Sequence, residues 1–170
     1  MERTDALRIE KVAGARHGEV AGVLARAWSG DAVVSRGRRH VLRELAVLAA
    51  WRDGELVGAC SYRHSSADVE VITLDAFTPG TGVGSALLAA AFEQVPAGGR
   101  LFLVTTNDNV DALAFYLRRG MRLVAVHRDA VEQARRIKET IPRRAANGLA
   151  IEDELELELW VRPLPARSGR

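Results

Sequence analysis

A chain of 170 residues, 48% hydrophobic and 27% charged, has the composition of one globular domain with a sizeable core. Lys plus Arg number 24 against 22 Asp plus Glu, and aromatics make up only 5%, so a basic, aromatic-laced nucleic-acid surface is excluded. The single cysteine, Cys60, allows neither an intrachain disulfide nor a cysteine-rich zinc site, and no run approaches the roughly 20 apolar residues of a membrane span. With the charged start MERTDALRIEK in place of an apolar leader core, a cytoplasmic protein with no membrane partner is expected.

In chain order, Leu7 to Val12 alternates as a first short strand, and Val20, Val23, Leu24 and Ala27 recur at helical spacing up to Trp28. Ser29-Gly30-Asp31 breaks that helix. The basic stretch Ser35 to His40 reads as a loop leading into a short helical piece, with a solvated surface. Leu45 to Arg52, the turn Asp53-Gly54 and Leu56 to Arg63 form a hairpin, and Val69 to Phe77 extends it as an antiparallel meander. Gly80, Gly82 and Gly84 then open an alanine- and leucine-rich helix that ends near Val95, before Pro96-Ala97-Gly98-Gly99.

Leu101 to Thr105 is a compact strand. Asn109 starts a helix that Gly120 ends, and Met121 to His127 is a further strand. Asp129 to Thr140 is a polar helix stopped by Ile141-Pro142, and Ile151 to Val161 alternates Glu with Leu as a last strand. The expectation is an α/β fold of α+β type: a mixed, mostly antiparallel sheet of six to seven strands flanked by about four helices. It forms a single domain over 1–162, with 163–170 a flexible tail.

The glycine-paved helix start offers unpaired backbone N–H groups and a positive dipole end to an anion. It is not a nucleoside triphosphate loop, which requires Gly-Lys followed by Ser or Thr, whereas Gly84 precedes Ser85. It is not the dinucleotide fingerprint either, because Leu87 stands where the third glycine belongs. Downstream, Asn109, Ala112 and Tyr116 fall at i, i+3 and i+7 on one helix face, leaving room for an extended ligand beside a small residue.

The order of meander, Gly-x-Gly-x-Gly, helix, strand and then Asn109-x-x-Ala112-x-x-Phe115-Tyr116 resembles the GNAT superfamily of acetyl-CoA-dependent N-acetyltransferases. The resemblance implies acetyl-CoA as co-substrate, no metal, and an amine acceptor. Gly80, Thr81, Gly82, Val83, Gly84 and Ser85 would then surround the pyrophosphate. Leu74, Asp75 and Ala76 would line the pantetheine arm, Asn109 and Ala112 would steady it, and Tyr116 would protonate the leaving thiolate. Pro79 departs from the Gln or Arg usual at that place and offers no N–H.

By the same resemblance Glu70 matches a strand glutamate used as general base; an ordinary strand-end carboxylate is the other reading. Asp75 is an alternative base, although simple alternation puts it on the face opposite Glu70. Glu154 and Glu156 lie on one face of the last strand. That face is either solvated or turned to the acceptor cleft, where it would select a cationic amine, with Arg128 to Ala150 as a lid. Trp28 and Arg36 to Arg39 lie near where such proteins build the acceptor pocket. The functional expectation is acetyl transfer to a primary amine; the alternative is an acyl-CoA-binding module without turnover. Family analogy adds a homodimer, though no exposed apolar stripe in the sequence demands one.

Overall fold

A computed structural model describes residues 6–161, so the tail expected at 163–170 lies outside the described residues. Strands β1 (Arg8–Lys11), β4 (Ala46–Arg52), β5 (Glu55–Ser65), β6 (Asp68–Ala76), β7 (Arg100–Thr106), β8 (Arg122–His127) and β9 (Glu154–Trp160) form one sheet in the order β1-β4-β5-β6-β7-β9-β8. Only the β6–β7 pair is parallel, joined by the crossover helix α2 (Val83–Phe92); every other neighbouring pair is antiparallel. Helices α1 (Gly14–Ala27), α3 (Val110–Arg118) and α4 (Ala130–Ile137) complete the layers. The expected mixed sheet and helix complement are therefore present.

Side-chain alternation along the strands builds two cores. Leu48, Cys60, Tyr62, Val69, Val71, Leu101, Leu103 and Leu157 meet Val83, Leu87, Leu88 and Ala91 of α2, with Tyr116 and Met121 closing the far end. On the opposite face Val47, Ala49, Ala59 and Ile72 pack on Val20 and Leu24 of α1 and on Val33 and Leu42.

The stretch read as a basic loop is instead a two-stranded hairpin, β2 (Ala32–Ser35) and β3 (Arg38–Val41), with a single 3₁₀ turn at Leu42–Glu44 after it. Its two turn residues, Arg36 (φ 51°) and Gly37 (φ 68°), are both left-handed, the arrangement that lets a two-residue turn follow the twist of its strands. Ala32 and Val33 are buried, which anchors the hairpin across the α1 face of the sheet.

Two irregularities in β6 shape everything that follows. Ser61 pairs with Thr73 but Tyr62 pairs with Val71, so Ile72 is an extra residue, a β-bulge. The parallel pairing with β7 covers only Val69–Leu101, Glu70–Phe102 and Val71–Leu103. Beyond that point β6 keeps β5 and β7 keeps β9, and the two strands part. The edge strand β8 leaves Leu123, Val124 and Val126 exposed beside Val110 and Leu117 of α3, an apolar surface that sequence alternation did not reveal.

Candidate active site

The glycine turn ends in Gly82, the N-cap of α2, whose φ of 78° lies in the left-handed region. A Cβ on Gly80 or Gly82 would meet nothing within 4 Å, so the loop backbone stands open to the surface. Gly84 has a different reason: its Cβ would come within 3.2 Å of the Phe115 ring, so glycine here lets α3 approach α2. Thr81 turns its hydroxyl back onto the Thr78 carbonyl at 2.8 Å, which leaves backbone N–H groups as the loop's outward donors.

Around this loop is a cavity of about 410 Å³ lined by Ala76, Pro79, Val83, Ser85, Arg118 and Arg119 among others. Arg119 lies over the Phe115 ring, its guanidinium carbon 3.5 Å from the centroid. Its Nε donates to the Ser85 hydroxyl at 2.8 Å, a second nitrogen reaches the same oxygen, and Nη1 donates to the Phe115 carbonyl at 2.9 Å. From the other side Arg52 donates to the Thr81 carbonyl at 3.4 Å. These arginines bring positive charge to the loop where Pro79 brings none. Sequence reasoning missed Arg119, although it stands four residues after Phe115 and seven after Ala112, on the face already singled out.

Helix α3 follows β7 directly, and Asn109 occupies its N-cap position, exposed and making no capping bond, its amide instead donating to the Thr105 hydroxyl at 3.3 Å. Ala112 packs on the α2 core, and Tyr116 is almost fully buried with its ring edge-on to Phe115. Burial first, and then the nearby Cys60 and Asp75, push the Tyr116 phenol above its ordinary range. The phenol therefore keeps its proton at physiological pH. Cys60 is raised by the same cause and is an inert core thiol.

The bulge at Ile72 overturns the expectation that Asp75 and Glu70 face opposite ways. Leu74 and Ala76 pack on the α2 core together with Val69 and Val71, so the parity of the strand changes across the bulge. Asp75 therefore shares the α1 face with Glu70. There its carboxylate accepts a hydrogen bond from the Trp28 indole at 2.9 Å. Burial pushes Asp75 above the usual carboxylate range, and only the Trp28 N–H works against it.

Glu70 is almost fully buried and differently engaged. It accepts from Arg63 Nε at 2.7 Å, pairs with Arg63 Nη2 at the same distance, and receives the Ser35 hydroxyl at 3.5 Å. The solvated reading of the last strand does not hold either, because Glu154 and Glu156 are 3% and 6% exposed. The Arg36 backbone N–H, at the hairpin tip, donates to Glu154 at 2.9 Å. Burial nevertheless pushes Glu154 up. Glu156 accepts from Arg100 at 3.2 Å and lies 2.9 Å from His127 Nε2. Burial would raise Glu156, but His127, Arg36 and Arg100 together outweigh it and hold it below the ordinary value.

The segment expected as a lid folds back on the same face. Lys138, at the end of α4, donates to the carbonyls of Trp28 and Ala32 at 2.8 and 2.9 Å. Trp28, Asp75 and this segment are thus brought together on one side of the parted strands, with the glycine loop, Arg119 and Tyr116 on the other. Glu154 and Glu156 join a separate polar layer beneath the hairpin.

Residues 16–121 match the sequence profile of the acetyltransferase (GNAT) family. The uncharacterized protein YdhI of Bacillus subtilis (strain 168) is 44% identical over 104 residues, 60% of this chain; the match spans 65% of that relative's length, just under two thirds. A Bacillus subtilis acetyltransferase in complex with CoA superposes with a TM-score of 0.63 at 18% identity, over 91% of this chain and 99% of that one. A GNAT family acetyltransferase from Elizabethkingia anophelis with acetyl-CoA bound gives 0.64 at 13% identity, over 92% and 99%. At such identities the two structures speak for the fold. Among the described residues, no helix is long and apolar enough to cross a membrane.

Proposed function

The chain belongs to the acetyltransferase (GNAT) family, and on that premise we propose that it transfers the acetyl group of acetyl-CoA to a primary amine by direct attack. The observation that carries this reading is the parting of β6 from β7 after Val71, which leaves Leu74, Asp75 and Ala76 with a strand edge free of β7. That edge runs between a cationic, glycine-lined helix start and a carboxylate held by Trp28. The residues fit the cofactor. Gly80 to Ser85 and Arg119 would hold its pyrophosphate, the free edge would pair with its amide-rich arm, and Asn109 and Ala112 would flank that arm.

Acetyl-CoA supplies an activated acyl carbon. Everything else falls to the chain's own groups. Binding both reactants along one strand edge converts a bimolecular step into an intramolecular one, worth effective molarities of roughly 10⁵–10⁸ M in aligned systems. Backbone N–H groups of Leu74 to Ala76 stabilise charge developing on the acyl oxygen. Asp75, its carboxylate made more basic by burial, takes the proton of the attacking amine. Tyr116 returns a proton to the departing sulfur. Glu70 is the weaker base, because its carboxylate is committed to Arg63. A module that only holds acyl-CoA has no use for a buried phenol beside Asp75.

The test follows CoA thiol release from acetyl-CoA across a panel of amines, with Tyr116→Phe in parallel. The variant should lose about 10²–10⁴-fold in kcat, the usual size of a general-acid contribution, while calorimetric CoA affinity stays as in the parent. No CoA binding by the parent protein would sink the reading; tight CoA binding with no release on any amine would favour the module.

A further inference from the structure

On the hairpin side of β6 lies a second cavity of about 310 Å³, at the lower end of the roughly 300–1,000 Å³ of ligand pockets. Its walls are mostly hydrocarbon: Trp28, Val33, Val34, Ile141, Pro142 and Ile151. It touches the reaction site at two points. Trp28 donates its indole N–H to Asp75. Thr106, which also lines the cavity, is the last residue of β7, the strand from which β6 has parted.

The ionisable group in its walls and the carboxylates of the last strand are already engaged. Among the lining residues only Lys138 is ionisable, and its ammonium is spent on the carbonyls of Trp28 and Ala32. Glu154 is occupied by the Arg36 backbone, and Glu156 by His127 and Arg100. A polycation entering here meets one lysine, apolar carbon and no uncommitted carboxylate of the last strand. An amine carried on a hydrocarbon body loses nothing by the same surroundings and gains from burying its apolar part. Apolar walls and a neighbouring ammonium also favour the neutral amine, which is the form that attacks.

Resting on the acetyl-transfer reading above, we infer that the acceptor is a small primary amine with a single amino group on an aryl or alkyl body, seated between Trp28 and Ile141-Pro142. The amine nitrogen bonds to the acyl carbon as the carbon–sulfur bond breaks. Asp75 takes the proton the nitrogen sheds, and Tyr116 supplies the one the sulfur needs. The amide product carries no charge at the former amine and is compatible with the apolar walls until it leaves.

The experiment compares kcat/KM for phenethylamine and hexylamine with that for spermidine and kanamycin, with CoA binding measured by calorimetry in every sample. The apolar amines should exceed the polycations by at least about 10-fold, the size of discrimination that hydrophobic pocket contacts reach. Val34→Glu should erase that ratio at unchanged CoA affinity. Ile141→Ala, a milder change, should lower kcat/KM for phenethylamine several-fold and leave kanamycin unmoved. Spermidine or kanamycin matching or exceeding the apolar amines overturns the inference and leaves acetyl transfer standing, as does CoA binding with all four amines silent in respect of this acceptor class. Failure to bind CoA at all overturns the acetyl-transfer reading itself.

Discussion

Replacing Gly58 by Ala tests whether the placement of β6 against α2 sets the reaction geometry. Gly58 lies on β5 opposite Ala76, beneath the first turn of α2. An added Cβ would sit 2.6 Å from the Asp75 carbonyl oxygen, 2.6 Å from Val83 Cγ1 and 3.1 Å from Leu87 Cδ1. Val83 and Leu87 are fully buried and the Asp75 carbonyl is strand backbone, so none can swing away. Relief requires β6 and α2 to move away from β5 by roughly 1 Å, since carbon contacts settle near 3.5–4.0 Å. Overpacking of that kind costs about 1–3 kcal/mol. At about 2–4 °C per kcal/mol for a domain of this size, Tm should fall by about 2–12 °C. The functional loss should be larger, because a misplacement near 1 Å can cost about 10²-fold in rate. Gly98→Ala, in the turn between α2 and β7, is the control: its Cβ meets nothing, and the left-handed φ of 80° alone costs about 1–2 kcal/mol. Thermal melts and thiol release at saturating acetyl-CoA, with the best amine of the panel, would separate the two. Both variants melt early, but only Gly58→Ala should lose kcat. If Gly58→Ala melts and turns over like the parent, or Gly98→Ala loses as much kcat, the geometric argument is wrong.

Trp28→Phe removes the one group that holds Asp75 down against its burial. The acid limb of the kcat/KM profile should therefore move to higher pH; an unmoved limb takes Asp75 out of the base's role. Arg119→Ala should weaken CoA binding by about 10-fold at low salt, the worth of one charge-assisted contact, and the deficit should shrink as ionic strength rises. Loss of binding independent of salt would mean that Arg119 acts through packing on Phe115. Glu154 and Glu156 should respond oppositely to replacement by Gln in denaturant melts. Glu154 is raised in the fold, so its contribution is fully present in acid and is lost as pH rises; Glu154→Gln should gain stability at neutral pH and none in acid. Glu156 is lowered, so its contribution is present at neutral pH and is lost as pH falls; Glu156→Gln should be the costly variant at neutral pH and should approach the parent in acid.

Much of the frame is legible because strand alternation and turn chemistry are local. Asp53-Gly54 marks its hairpin, and the run of Gly80, Gly82 and Gly84 marks the start of α2. What escapes local reading depends on partners far along the chain. Glu154 and Glu156 alternate like a solvated strand face, but the hairpin tip at Arg36, 118 residues earlier than Glu154, covers them. That hairpin is itself obscured by its charge. Its turn dipeptide is Arg36-Gly37 rather than Asn-Gly or Asp-Gly, and the signal that remained was the β-branched pair Val33-Val34 before it. Tyr116 and Asn109 were found as helix-face residues because helical spacing is regular; Arg119 lay on that same face, one turn further.

The bulge at Ile72 is the feature that strict alternation conceals and on which the site turns. With an unbroken period of two, Asp75 would lie on the face opposite Glu70, packed toward α2 and away from Trp28. One extra residue reverses the parity, and Asp75 meets the Trp28 indole on the hairpin side while Leu74 and Ala76 keep the α2 core. A bulge also bends its strand and ends regular pairing, and the register with β7 stops at Val71, one residue before it. The same insertion that aims the carboxylate at the acceptor side is thus coupled to the gap that frees the strand edge for the acyl donor. The two halves of the site need not have been tuned separately. Any change that restores regular pairing through residue 72 should close the gap and turn Asp75 away together.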